Sequence, residues 1–187
     1  MSYTVLLSIL LLQPFLVSQY KILIIQPSLS RSNIVYNSRV AETLAQAGHD
    51  VTLLRPDFQP ETKKIRSTLA KDLFVSGMQL DTFKRMLYLD KLFEHFSLSK
   101  IITEFPEIKK RLHQFEKMNL EACEAQISDA KAMQYLRDYR FDLAITHMYD
   151  YCGFGIIHLA KIPTYIWMSS GLLHTHMAVA SGVPSPP

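Results

Sequence analysis

Apolar and polar positions alternate along this chain in blocks whose lengths differ sharply. Lys21-Ile-Leu-Ile-Ile25 is a short, nearly continuous apolar run, the pattern of a strand buried on both faces. After a polar stretch, Val40, Leu44 and Ala47 recur at helical spacing. They predict a helix that starts around Ser32 or Tyr36 and stops before Gly48, which is placed to cap it. Val51–Leu54 is a second buried run, expected to end at Arg55-Pro56 because proline cannot donate to a ladder. Strand, helix and strand in this order make a βαβ unit. In open parallel sheets the chemistry sits on loops at the carboxyl ends of the strands. The loop Gln26 to Asn33 is thus the first place to look for function.

The period then changes. Residues 56–66 read as a charged, proline-containing loop. From about Leu80 to Tyr139 the spacing is that of long amphipathic helices. Phe83, Met86, Leu87, Leu92, Phe93 and Phe96 form one run, and Ile108, Leu112, Phe115, Met118 and Ala122 a second, with Pro106 between them. Either run is a helix face packed on the sheet or the wall of an apolar pocket; periodic apolar positions are first of all core. Phe141-Asp-Leu-Ala-Ile-Thr146 is the next buried strand. A short helix through Lys161 and a strand over Thr164–Met168 follow it, and Ser169 to Pro187 reads as loop. The sum is an α/β fold, a Rossmann-like parallel sheet with flanking helices.

Composition narrows the class. The chain has 187 residues, 48% apolar and 20% charged, enough for one domain with a substantial core. A net charge of +3 is spread over short groups such as Lys63-Lys64 and Lys109-Lys110-Arg111, which argues against nucleic acid as a partner. Residues 1–18 are apolar, end in a small residue and are broken by Gln13-Pro14. They fit a cleaved signal peptide better than a bilayer span, leaving 19–187 as the folded domain. Secretion would let Cys123 and Cys152 pair, while two buried free thiols remain an equal alternative.

Candidate chemistry is sparse. Gln26-Pro-Ser-Leu-Ser-Arg-Ser-Asn33 contains no glycine, which disfavours a dinucleotide fingerprint. Gly153-Phe-Gly155 is better read as letting a helix start close to the sheet. His174 and His176 lack a third ligand at good spacing, so no metal site is expected, and His49 opens a strand at the wrong edge for chemistry. His147 directly follows a buried strand and belongs at the same edge as the Gln26–Asn33 loop, as a reactive group or as a strand-end histidine bonded to backbone.

Taken together, Lys21–Ile25, Val40–Pro56, Phe141–Thr146, Tyr149–Gly155 and Ile162–Ser170 resemble the amino-terminal half of the UDP-glucuronosyltransferases, with a nematode flavour that includes Gly182–Pro187. The resemblance implies half of a GT-B glycosyltransferase, the half that binds a small lipophilic acceptor. The donor-binding half and its membrane anchor would lie outside this chain, with UDP-sugar as co-substrate and no cofactor. It implies a secretory placement in the endoplasmic reticulum lumen or membrane, xenobiotic conjugation as the setting, and pairing with relatives as a further possibility. In that family a histidine after strand one takes the acceptor's proton and an aspartate after a later strand orients it. Alignment puts Asn33 at the histidine's position and His147 at the aspartate's. A neutral amide accepts no proton at physiological pH, so His147 acting as base with Asn33 holding the hydroxyl is the exchanged arrangement to test. Phe93, Phe96, Phe115 and Met118 are the expected acceptor-lining residues. The competing expectation is a non-catalytic module that binds lipophiles or modulates partners.

Overall fold

A computed structural model describes residues 18–27, 31–57, 64–77, 105–148, 151–171 and 175–184. The elements are β1 (Lys21–Ile25), α1 (Arg31–Gln46), β2 (Asp50–Pro56), β3 (Lys71–Val75), α2 (Phe105–Ile127), α3 (Ala130–Tyr139), β4 (Leu143–His147), α4 (Cys152–Leu159), β5 (Tyr165–Met168) and α5 (Thr175–Ala180). The five strands form one sheet in the order β3-β2-β1-β4-β5, and every pairing is parallel.

The near-continuous apolar strands are explained by helices on both faces. Ile22, Ile24, Val51, Leu53 and Ile145 pack with Ala41, Val40 and Leu44 of α1. Leu23, Ile25, Leu54 and Ala144 pack on the other face with Met133 and Leu136 of α3 and Ile156 and Ile157 of α4. Gly48 ends α1 in the left-handed region at φ 93°, as its position predicts. At the amino ends of the strands, Lys71 Nζ donates to Asp50 Oδ1 at 2.8 Å, and the Tyr139 hydroxyl donates to the same carboxylate.

Three expectations need correction. β2 does not stop at Leu54 but runs to Pro56. The Gln26 amide donates to Leu54 C=O on the β1 side, while the Asp57 amide donates to Val75 C=O on the β3 side. Hydrogen-bonding sides alternate along a strand, so the N–H that Pro56 lacks would point toward β1, past that strand's last residue. β3 itself, Lys71–Val75, has no counterpart in the sequence reading. The stretch read as loop after Ser169 contains α5, whose Met177 is buried.

Pro106 stands in the first turn of α2, where its missing N–H breaks no helical bond, and the helix then runs unbroken to Ile127. Asp129 caps α3 by accepting from the Ala132 amide at 3.1 Å, and Arg140 ends it with a left-handed φ of 54°. The cysteine alternatives resolve in favour of pairing: Cys123 of α2 and Cys152 of α4 form a disulfide with Cα atoms 5.5 Å apart. The apolar run from Phe83 to Phe96 and most of the amino-terminal segment lie outside the described residues. Among the described residues no helix is long and apolar enough to cross a membrane.

Candidate functional site

The strand order turns at β1. Chain connections run outward to β2 and β3 on one side and to β4 and β5 on the other, so the crevice between the carboxyl ends of β1 and β4 is the topological switch point. The register Ile24↔Ile145, carried two residues on, sets Gln26 beside His147. Side chains alternate across a strand, so Gln26 and His147 share the face that Ile24 and Ile145 turn to α1. Thr146 turns to the α4 face.

Each side supplies a distinct environment. On the α1 side, Gln26, Asn33, Asn37 and His147 are all buried, His147 being 2% exposed and Asn33 7%. Tyr36 of α1 sets its ring edge-on to the His147 imidazole, with centroids 6.3 Å apart. Asn33 lies one turn before Asn37, whose Nδ2 donates to the Asn33 carbonyl at 2.8 Å. Further out on the same face, Arg55 at the end of β2 is 1% exposed, and its guanidinium reaches Asp72 Oδ1 of β3 at 2.9 Å. The same guanidinium lies over the Phe74 ring at 5.4 Å. On the opposite face a Cβ built on Gly153 would stand 1.8 Å from Thr146 Oγ1. Only glycine lets α4 start that close to β4, which is the role its position suggested.

The His147 backbone carbonyl accepts a hydrogen bond from the Trp167 indole at 3.2 Å. Burial pushes the imidazole's pKa below its ordinary value, because the charged form loses hydration there. The ring is therefore neutral at neutral pH and able to take a proton only from a group that reaches it. The described part of this crevice is polar, neutral and hydrogen-bonding, set in apolar strands.

Asn33 and His147 come to the same end of the sheet and the same face. Met118 is also buried, but on α2, the helix bridged to α4 through Cys123, and no described contact joins it to His147. Phe93 and Phe96 lie outside the described residues, as does the side chain of Phe115. His49 takes a structural part at the amino edge: the Tyr20 amide donates to its Nδ1 at 3.4 Å. Among the described residues no group of three or more His, Cys, Asp or Glu could hold a metal. Tyr36, Asn37, Arg55 and Trp167 went unread in the sequence as site residues, while Gln26 was read only as the start of the candidate loop. Gln26 and Arg55 had a readable signal, since each is polar and directly follows a buried apolar run.

Residues 20–187 match the family described as UDP-glucoronosyl and UDP-glucosyl transferase. The chain belongs to this family. Among its relatives is a Caenorhabditis elegans protein named as a UDP-glucuronosyltransferase, ugt-46, 28% identical over 172 residues, or 89% of this chain. The mouse UDP-glucuronosyltransferase 1A7 is 24% identical over 149 residues, or 79% of this chain. The chain spans about a third of the length of the relatives it matches, 31% for the nematode protein. Among solved structures, CalG4, the calicheamicin glycosyltransferase, aligns with 90% of this chain and 38% of its own at 18% identity and a TM-score of 0.48.

Proposed function

We propose that this chain is the acceptor-binding half of a UDP-glycosyltransferase of GT-B architecture. It would work in the endoplasmic reticulum and transfer a hexosyl group, glucuronosyl in particular, from a UDP-sugar to small lipophilic alcohols or phenols. Family membership over residues 20–187 supports the reaction class. The observation that supports the site is the β1–β4 switch point: His147 ends β4 there with the Tyr36 ring of α1 edge-on to it, and Asn33 is buried one turn earlier on the same helix.

In this reading the acceptor hydroxyl attacks the anomeric carbon, the bond from that carbon to the UDP oxygen breaks, and UDP leaves with the electron pair. The hydroxyl proton goes to neutral His147, whose depressed pKa makes it a weak but available base. The Asn33 amide orients the hydroxyl. Phe93, Phe96, Phe115 and Met118 line the acceptor's path, and the nucleotide sugar is held by a carboxyl-terminal half.

A second reading is favoured by two observations: the β1–α1 loop offers no titratable base, and His147 is only 2% exposed. The chain would then bind lipophiles, or modulate relatives by pairing with them, without turnover. Joining the chain to the donor half of a relative and measuring UDP release with a small phenol separates the two. The enzymatic reading expects turnover that falls about 100-fold or more in His147→Ala. No turnover from the parent, with turnover gained in Asn33→His, establishes the second reading instead.

A further inference from the structure

The Cys123–Cys152 bond joins two helices, α2 and α4, and Cys152 packs on the sheet face opposite α1. Cys152 is the first residue of α4, five positions after His147. Gly153, the next residue, seats α4 on Thr146 of β4. Tyr151, the residue before, meets Trp167 at a tilt with ring centroids 6.0 Å apart, and Trp167 also meets Phe154 at 5.2 Å and donates to the His147 carbonyl. The disulfide therefore ties α2 to the aromatic group that holds the end of β4.

The other side of the bond is weakly seated. From Glu116 to Ile127 three side chains of α2 are buried, Met118, Ala122 and Gln126, and one of the three is polar. Gln126 spends its amide on the Ala122 carbonyl of its own helix at 3.2 Å rather than on the sheet. Leu120 is 60% exposed. Both cysteines are partly exposed rather than sealed in the core.

We propose that this disulfide is a redox-operated latch: closed, it fixes the carboxyl half of α2 against α4, on the sheet face opposite α1, and opened by a dithiol it releases that half-helix while the sheet stays folded. A thiolate of the dithiol attacks one sulfur, the S–S bond breaks, and a mixed disulfide forms. The second thiolate resolves it. Cys123 and Cys152 end as two thiols, having gained two electrons and two protons, and the dithiol ends as its own disulfide.

The sequence contains a single tryptophan, so Trp167 is a built-in reporter of the latch. The full chain is titrated with dithiothreitol and then reoxidised with oxidised glutathione, following Trp167 emission, far-UV circular dichroism and amide exchange. Reduction is expected to speed exchange in residues 116–127 by about tenfold or more and to shift Trp167 emission. Exchange in β1 and β4 and the far-UV signal stay unchanged, and the changes reverse on reoxidation. The double variant C123S/C152S should match the reduced protein. Unchanged exchange in α2 after reduction overturns the proposal, since the helix then needs no latch. Loss of protection throughout the sheet also overturns it, since the bond is then a staple of the whole fold. A bond that dithiothreitol leaves closed while the chain is folded overturns it as well.

Discussion

Gly153→Ala tests most sharply how the crevice is built. The added methyl would lie 1.8 Å from Thr146 Oγ1 and 2.8 Å from Thr146 Cβ. Thr146 is buried on a central strand, so its side chain cannot rotate away freely and α4 must lift instead. Overpacking of this kind costs about 1–3 kcal/mol, and contacts this short belong at the upper end. Alanine in a helix recovers about 1 kcal/mol relative to glycine, so the net loss should be about 2 kcal/mol. Gly155 supplies an internal control two residues along the same helix, because a Cβ there meets nothing within 4 Å. Gly155→Ala should stabilise by roughly 0.5–1 kcal/mol. Urea unfolding of both variants and the parent, followed by circular dichroism, gives the comparison. In a domain of this size, about 2 kcal/mol corresponds to a Tm lowered by roughly 4–8 °C. Thr146→Ala in the Gly153→Ala background should restore part of the loss by removing Oγ1. If Gly153→Ala proves as stable as Gly155→Ala, α4 does not dock on β4 as described.

Further outcomes follow from individual groups. Asp72→Ala leaves the Arg55 guanidinium buried without its 2.9 Å partner and should cost about 3 kcal/mol or more. The pair of substitutions Arg55→Met with Asp72→Leu should lose less than that single change. Asp129 is held below the usual aspartate range by the Ser76 and Ala132 amides, so its contribution is complete above about pH 4 and lost as pH falls through its native value. Asp129→Ala should cost about 1 kcal/mol at pH 7 and progressively less as pH falls below about 4, in paired thermal scans. His147 resists protonation in the fold, so stability should decline as pH drops below about 6.5, and His147→Gln should flatten that decline.

The central strands and α1 were readable because burial on both faces writes an uninterrupted apolar run and a buried helix face writes a 3.6-residue period. β3 was not readable, since Lys71 and Asp72 open it with charge and only Leu73, Phe74 and Val75 show an apolar run. An edge strand needs partners on one side only, which the sequence does not disclose. The reach of β2 through Pro56 depends on β1 ending first, a relation between two strands that neither segment carries alone. Placing His147 at a strand end was legible from Thr146 before it, and its neighbourhood was not. Burial beneath Tyr36 depends on which face the strand turns to α1. The cysteine pair likewise rests on α2 lying along α4, a contact 29 residues apart that no local pattern encodes.

The proposal for function rests on a lipophilic acceptor entering between β1 and β4 on the α1 side. Titrating the isotope-labelled chain with 1-naphthol and following the Asn33 side-chain amide, the Tyr36 ring and the His147 ring protons by NMR tests it most directly. The account expects all three to shift together and saturate with one dissociation constant. Saturable binding that leaves all three unmoved, or no binding at all, contradicts it.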